Sequence, residues 1–373
     1  MLQELFTQGT LRRTALAVAA ADARYDCAAD LAATAREFEA MMAQRRFLPA
    51  PRVLRHAGEA SGVLVSVRGQ AGPAEDALVC PMEGCEGVCF PRVLALRRLL
   101  PDRLEEEALE PESRQPLLPG EGCACGTVNL TAMLRRGAQE YTFDTALLQR
   151  TVRAAVHFLD NVIDASAYPS AQASRLTRAT RRLALGVMGL ADVLSAMGLP
   201  YGSEAGRRQA EKLTGLVARE ANAASRALAQ GRGPFPLFRE STHAGGQPRR
   251  NGTVTGLAPC AELAAACGCT AGAAPAAGDP ADTEGLVRMQ AAVQKQMDGA
   301  VWLPVPFSTK AEMQEACALA YRLGCRSVEM CPAAPAARTV RAGDIRFCPA
   351  CGSPVGYEEG RAVCSACGFV KED

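Results

Sequence analysis

Leu147, Leu148, Val152, Ala155, Val156, Leu159 and Ile163 recur at helical spacing, so residues 144–164 read as a helix with one apolar stripe. Asp144 or Thr142 is available as its N-cap. Such a helix is stable only when its stripe is covered by other elements. Short β-branched runs supply that cover: residues 63–67 suit a buried strand, and another short strand is expected at 326–330. Further helices are expected across residues 1–46, from Ser203–Glu204 to about Ala229, at 286–299 and at 310–323. Residues 69–89 read as a Gly- and Cys-bearing connection, 105–114 as an acidic mobile segment, and 231–249 as loop. Residues 332–342, PAAPAARTVRA, have linker composition and precede a small terminal module. Helices interleaved with short strands place the body in the α/β class.

A chain of 373 residues can bury a large core. Its 41 basic and 40 acidic residues leave a formal charge of +1, which gives no general affinity for nucleic acid or membrane. No apolar run approaches the roughly 20 residues of a membrane span. Residues 14–21, TALAVAAA, follow Arg12 and Arg13 like a short signal peptide, but Glu4 precedes them and an alanine-rich helix is the better reading. Sixteen cysteines without an export signal point to a reducing compartment, hence to the cytoplasm, where clustered thiols more often hold metal than form disulfides.

The strongest spacing motif is Cys348-x2-Cys351-x12-Cys364-x2-Cys367. Each CxxC turns two thiolates toward one point, and two such knuckles complete a tetrahedral S4 site suited to Zn²⁺. A redox dithiol is the other reading. Cys80-x4-Cys85-x3-Cys89 is a further cluster, able to hold a metal with Cys123 or Cys125, although its spacing matches no established site. His56, His157 and His243 are scattered on different elements, and His157 within its helix reads as structural. Trp302 reads as packing, and Arg178, Arg181 and Arg182 as a solvated basic face.

Residues 115–130, QPLLPGEGCACGTVNL, resemble a segment of ribonucleotide reductases, which reads Q-P-L-L-P-x-E-x-C-N-L-G-S-I-N-L in the adenosylcobalamin-dependent (class II) branch. FLPAPRVLRHAG at 47–58, FLDNVIDASAY at 158–168 and TRRLALGVMGLADVLSAMGLPY at 180–201 are similar to further family segments. So are RNGTVTGLAP at 250–259 and MQAAVQKQMDGAV at 289–301, and all occur in family order. The resemblance implies an incomplete version of the family's ten-stranded α/β barrel over residues 47–331. A helical segment (1–46) precedes it, and a linker (332–346) and zinc ribbon (347–373) follow. The family's N-terminal allosteric region, and a long piece between Val67 and Glu110, have no counterpart.

The departures from the family fall on its chemistry. The family's N-P-C-G-E, which carries the radical cysteine, aligns with Glu110, Pro111, Glu112, Ser113 and Arg114. A carboxylate cannot form a thiyl radical. The resemblance makes Cys123 one of the two cysteines that reduce the ribose, but the other position falls within Ala60-Ser61-Gly62-Val63-Leu64, which has no thiol. Cys123 then reads as a vestigial redox cysteine and a small buried hydrophobe. The substrate-phosphate loop P-T-G-T-I-S is replaced by Pro259-Cys260-Ala261-Glu262-Leu263-Ala264, while Gly268, Cys269 and Gly272 follow the family's G-C-S-S-G. The barrel's closing S-K-T-x-N is replaced by Trp302-Leu303-Pro304.

The resemblance therefore implies a degenerate homologue of the adenosylcobalamin-dependent ribonucleoside-diphosphate reductase, acting as a non-catalytic partner or regulator in deoxyribonucleotide synthesis. Its expected partner is a full-length reductase or another protein. The alternative is an active reductase, or another thiol enzyme, built on cysteines special to this chain such as Cys125 or Cys260. Zn²⁺ is expected in the ribbon, and adenosylcobalamin enters by resemblance alone. Binding of ribonucleotide, membrane or nucleic acid is not expected.

Overall fold

The computed structural model describes residues 27–56, 63–67, 75–82, 85–89, 108–110, 115–118, 120–137, 140–276, 282–332, 356–358, 361–367 and 370–371. The chain divides into two units, residues 1–331 and 332–373.

In the larger unit, helix α1 (Cys27–Ala43) leads into strand β1 (Phe47–His56). A meander follows: β2 (Val63–Val67), β3 (Glu75–Met82) and β4 (Cys85–Cys89). The stretch at 69–89 is therefore not a plain connection. Its Val and Leu residues find ladder partners on both sides, as in Val79↔Val88 and Leu78↔Leu64. The acidic stretch is likewise partly ordered, because β5 (Ala108–Glu110) pairs antiparallel with β6 (Gln115–Leu117). Residues 111–114, including Glu112, lie outside the described residues.

Strand β7 (Gly122–Asn129) is the centre of the sheet that positions the site. It runs antiparallel to β1 and, beyond a short antiparallel pair of β8 (Leu134–Arg136) and β9 (Tyr141–Phe143) in the chain, parallel to β10 (Arg182–Met188). All seven residues of β10 are buried, as expected of a strand covered on both faces. Single parallel bridges, Leu185↔Thr255 and Leu257↔Val301, continue the succession past β10. A second sheet has the order β11-β12-β4-β3-β2, where β11 is Pro304–Phe307 and β12 is Ser327–Pro332. The described residues are mixed α/β and do not close a barrel.

The helix expected at 144–164 is α2 (Thr145–Ala165), and Asp144 is its N-cap, accepting from Leu147 N at 2.8 Å. Its apolar stripe packs on β7 and on a long helix, α5 (Glu204–Arg232), whose Ser203 cap was legible in the chain. Between them lie α3 (Ala171–Thr180) and α4 (Leu190–Ala196). Edge-to-face rings join α1, α2 and β1: Phe38 to Phe158 at 5.3 Å and Phe47 to Phe158 at 5.8 Å. Phe47 also explains Gly126, since a Cβ there would come within 2.5 Å of its ring. The later helices are α6 (Ala261–Cys267), α7 (Thr283–Gln294) and α8 (Lys310–Arg322). The helix expected at 286–299 ends sooner, and buried Gln294 turns its side chain back to Val301 N and Gly299 O at 3.1 and 2.9 Å. Trp302 is fully buried, as its packing role required.

The basic residues at 178–182 do not form a solvated face. Arg181 and Arg182 are buried because carboxylates distant in sequence meet them. Arg181 donates to Asp160 and to Asp164, each at 2.8 Å, while Arg232 and Arg250 approach the second Asp160 oxygen at 2.8 and 3.4 Å. Asn251 completes the shell at 2.8 Å. This grip holds Arg181 in the left-handed region, φ 49°, at the end of α3, where glycine is the usual residue. His157 joins the rim of the network, its Nε2 2.7 Å from Asp30 Oδ2.

The smaller unit contains a three-stranded antiparallel sheet, β13 (Gly356–Glu358), β14 (Arg361–Val363) and β15 (Val370–Lys371). Among the described residues, no helix is long and apolar enough to cross a membrane.

Candidate functional site on the buried sheet face

Alternate residues of a strand face opposite sides. Ala124 and Val128 of β7, and Leu183, Leu185 and Val187 of β10, enter the main core with the helices. The other face carries Cys123, Cys125 and Ala184, closed over by Leu117 and flanked by Ala50. Cys123 is 1% exposed and Cys125 8%. In the ladder Cys123 stands beside Arg55 and Arg182, and Cys125 beside Ala184.

Polar groups frame this apolar patch. Arg182 donates to Glu121 Oε1 at 2.8 Å, and Glu121 Oε2 accepts from Leu118 N at 2.8 Å. Gly122 N donates to Thr177 Oγ1 at 2.7 Å, fixing the entry to β7. Gln115 spans to the chain after α7: its Nε2 donates to Ala300 O at 3.1 Å and its Oε1 accepts from Ala300 N at 2.9 Å. The family-like QPLLPGE stretch thus acts here as a set of braces, which its sequence did not reveal.

The two thiols are not independent. Cys125 Sγ lies 3.5 Å from Cys123 O, and its thiol is within hydrogen-bond reach of the Cys123 thiol. That hydrogen bond and burial push the Cys123 thiol well above its ordinary pKa, so Cys123 stays protonated at neutral pH. The C-x-C spacing on a strand was the signal that could have placed both sulfurs on one face.

Farther along the same sheet, Leu48, Met188 and Leu263 form a buried apolar group with Cys260, Cys267 and Cys269 packed against it. Helix α6 starts at Cys260, which makes no side-chain cap, and Glu262 stands exposed in its first turn. A phosphate needs converging N–H and hydroxyl donors. Here a leucine fills inward, and a carboxylate occupies the first turn. Cys269 is pushed up to about 12 by burial and by neighbouring Cys267 and Asp192.

Of the four thiols proposed for zinc, Cys364 is buried directly after β14, Cys367 is exposed in the following turn, and Cys348 and Cys351 lie outside the described residues. Among the described residues, no three His, Cys, Asp or Glu side chains gather as a metal site. Cys80, Cys85 and Cys89 lie on strands β3 and β4, with Cys80 opposite Gly87, Cys85 opposite Met82 and Cys89 opposite Leu78.

Residues 107–251, the stretch that builds β7, β10 and their braces, match the family model described as ribonucleotide reductase, barrel domain. Over this segment the chain is similar to the ribonucleotide reductase barrel domain. It is 41% identical over 192 residues to a vitamin B12-dependent ribonucleoside-diphosphate reductase of Mycobacterium tuberculosis, covering 52% of this chain and 27% of that protein. The corresponding protein of Thermoplasma acidophilum is 39% identical over 170 residues, 45% of this chain and 22% of the relative. A ribonucleoside-diphosphate reductase subunit alpha of Chlamydia pneumoniae is 32% identical over 116 residues, 31% of this chain and 11% of the relative. The chain thus spans about a quarter of the length of these two B12-dependent relatives.

Proposed function

We propose that this chain is a non-catalytic member of the deoxyribonucleotide-synthesis machinery, a reductase-like protein that binds a partner and does not reduce ribose. What carries this reading is Glu112, which the resemblance sets at the family's radical-cysteine position and which has no sulfur. Two further features support it. The sheet face beside Cys123 is closed by Leu117 and Ala184, and Leu263 with Glu262 replaces the donors a phosphate would need. Adenosylcobalamin, which the B12-dependent relatives use, does not fit this residue set. Its chemistry there supplies a radical to a cysteine, and the corresponding position here is a carboxylate. A full-length reductase is the favoured partner.

Full-length chain incubated with ribonucleoside diphosphates, adenosylcobalamin and a dithiol is expected to form no deoxyribonucleotide. Turnover that disappears in Cys123→Ser would overturn the reading in favour of an active enzyme using cysteines special to this chain.

The terminal module, 347–373, is proposed to hold one Zn²⁺ through Cys348, Cys351, Cys364 and Cys367. Two CxxC turns supply a tetrahedral thiolate set, and a β-hairpin between the pairs suits a ribbon. Metal analysis of the purified chain should return about one zinc per molecule, with Cys364→Ser losing it. A metal-free wild-type chain that keeps its structure would refute the assignment.

A further inference from the structure

We infer that Cys123 and Cys125 are a reversible dithiol–disulfide pair closed within a single strand. The inference does not depend on whether the chain reduces ribose.

Residues i and i+2 of a strand put their side chains on one face, but extended backbone separates their Cα atoms by roughly 6.6–7.2 Å. That is at or beyond the span a disulfide bridges without backbone movement, about 7 Å. Strand β7 is built to make the small bend required. Its sequence around the pair is Gly122-Cys123-Ala124-Cys125-Gly126, and each flanking glycine lowers the cost of local rearrangement.

The neighbouring strand also gives way at this point. The β1 ladder runs in register from Phe47↔Val128 to Pro49↔Gly126, then resumes at Leu54↔Ala124. Residues 50–53 therefore stand opposite Cys125 alone, and Cys125 has no counterpart in the ladder on that side. On the other side β10 pairs in continuous register from Arg182↔Cys123 to Met188↔Asn129, so the strand is anchored on one side while the irregularity opposite Cys125 lies on the other. Ala184, which shares the face and pairs with Cys125, is small.

The chemistry assigns different roles to the two sulfurs. Cys123 is the inner one, and the Glu121–Arg182 ion pair beside it is neutral as a unit. Cys125 is the outer one. The co-reactant is a low-molecular-weight disulfide such as oxidised glutathione, which reaches the buried Cys125 when local opening lifts the Leu117 cover. Cys125 sulfur attacks it; a Cys125–S bond forms, the incoming S–S bond breaks, and one thiol leaves carrying the Cys125 proton. Cys123 sulfur then attacks Cys125 sulfur, and the second thiol leaves carrying the Cys123 proton. The chain loses two electrons and two protons, and the incoming disulfide is reduced to two thiols. A dithiol reductant reverses both steps.

The sequence offers a direct readout. Trypsin cleaves after Arg114 and Arg135, and peptide 115–135 carries Cys123 and Cys125 with no other cysteine. Full-length chain is poised in a series of glutathione redox buffers, then acid-quenched, alkylated under denaturing conditions and digested. Peptide 115–135 is expected to pass from doubly alkylated to unalkylated, with a mass about 2 Da below that of the unmodified dithiol peptide, in one transition as the buffer becomes more oxidising. In Cys125→Ser the peptide should keep Cys123 alkylated or carry glutathione, with no internal link. Double alkylation of the wild-type peptide at every poise would overturn the pair, as would linkage of either cysteine to one outside the peptide. The wild-type measurement stands even if the variant fails to fold. Deoxyribonucleotide formation would overturn the non-catalytic reading and leave the pair in place. An unchanged peptide would do the reverse.

Discussion

Asp160→Ala is expected to remove on the order of 3–5 kcal/mol of folding stability, enough to unfold many domains of this size. Asp160 is fully buried, and its two oxygens receive Arg181, Arg232, Arg250 and Asn251. Removing the carboxylate leaves three buried guanidinium groups with only the partly exposed Asp164 and Asp30 to balance them, in an interior that solvates charge poorly. Burial alone would raise the pKa of Asp160, but Arg181, Arg250 and Arg232 outweigh it and hold the carboxyl well below its usual range. A carboxyl with a depressed folded-state pKa contributes stability that is complete above its unfolded value, about 3.9, and is lost as pH falls through the folded value. Wild-type urea midpoints should therefore drop on acidification below about pH 4. Asp160→Asn should begin less stable and lack that component of the acid loss. Equal acid profiles for the two proteins would show that the network does not titrate through Asp160.

Gly299→Ala should be nearly as damaging, by about 3 kcal/mol or more, although Gly299 faces no charge. A Cβ at this position would overlap Gln115 Oε1 and come within 2.8 Å of Thr255 O. Overpacking against backbone costs about 1–3 kcal/mol. Displacing Gln115 also leaves the Ala300 N–H and C=O without the partners they have at 2.9 and 3.1 Å, each a loss of about 1–3 kcal/mol if unmet. Adding Gln115→Ala should cost less in the Gly299→Ala background than in wild type, because the brace is already broken there. Strictly additive effects in denaturant titrations would refute the steric account.

These two positions show how unevenly the chain reveals itself. Helix α2 and its Asp144 cap are local matters, decided by apolar spacing and one side chain within three residues. The same holds for the Ser203 start of α5. The network around Asp160 could not be read that way: Arg232 and Arg250 reach it from 72 and 90 positions along the chain. Without those partners, a run of arginines before a strand is most simply a wet face, and that expectation failed. Gln115 is similar, since its partner at Ala300 lies 185 residues away. The site was legible in its residue types. The proposed losses at Glu112 and in the 259–264 loop, and the interest of Cys123, are readings of the order of letters against the reductase resemblance, whereas the neighbourhood of Cys125 is visible only in the fold.

By itself, the amino-acid order determined the helices with clear stripes and the similarity to reductases over part of the chain, because each is a property of neighbouring residues. Only the tertiary structure decided that Arg181 and Arg182 are buried, that Gln115 braces the turn at 299–300, and that two thiols share a sheet face opposite a gap in the β1 ladder. The physical reason is the same for all three. Burying a charge, satisfying a backbone amide or freeing a strand edge depends on groups that only folding brings within a few ångströms.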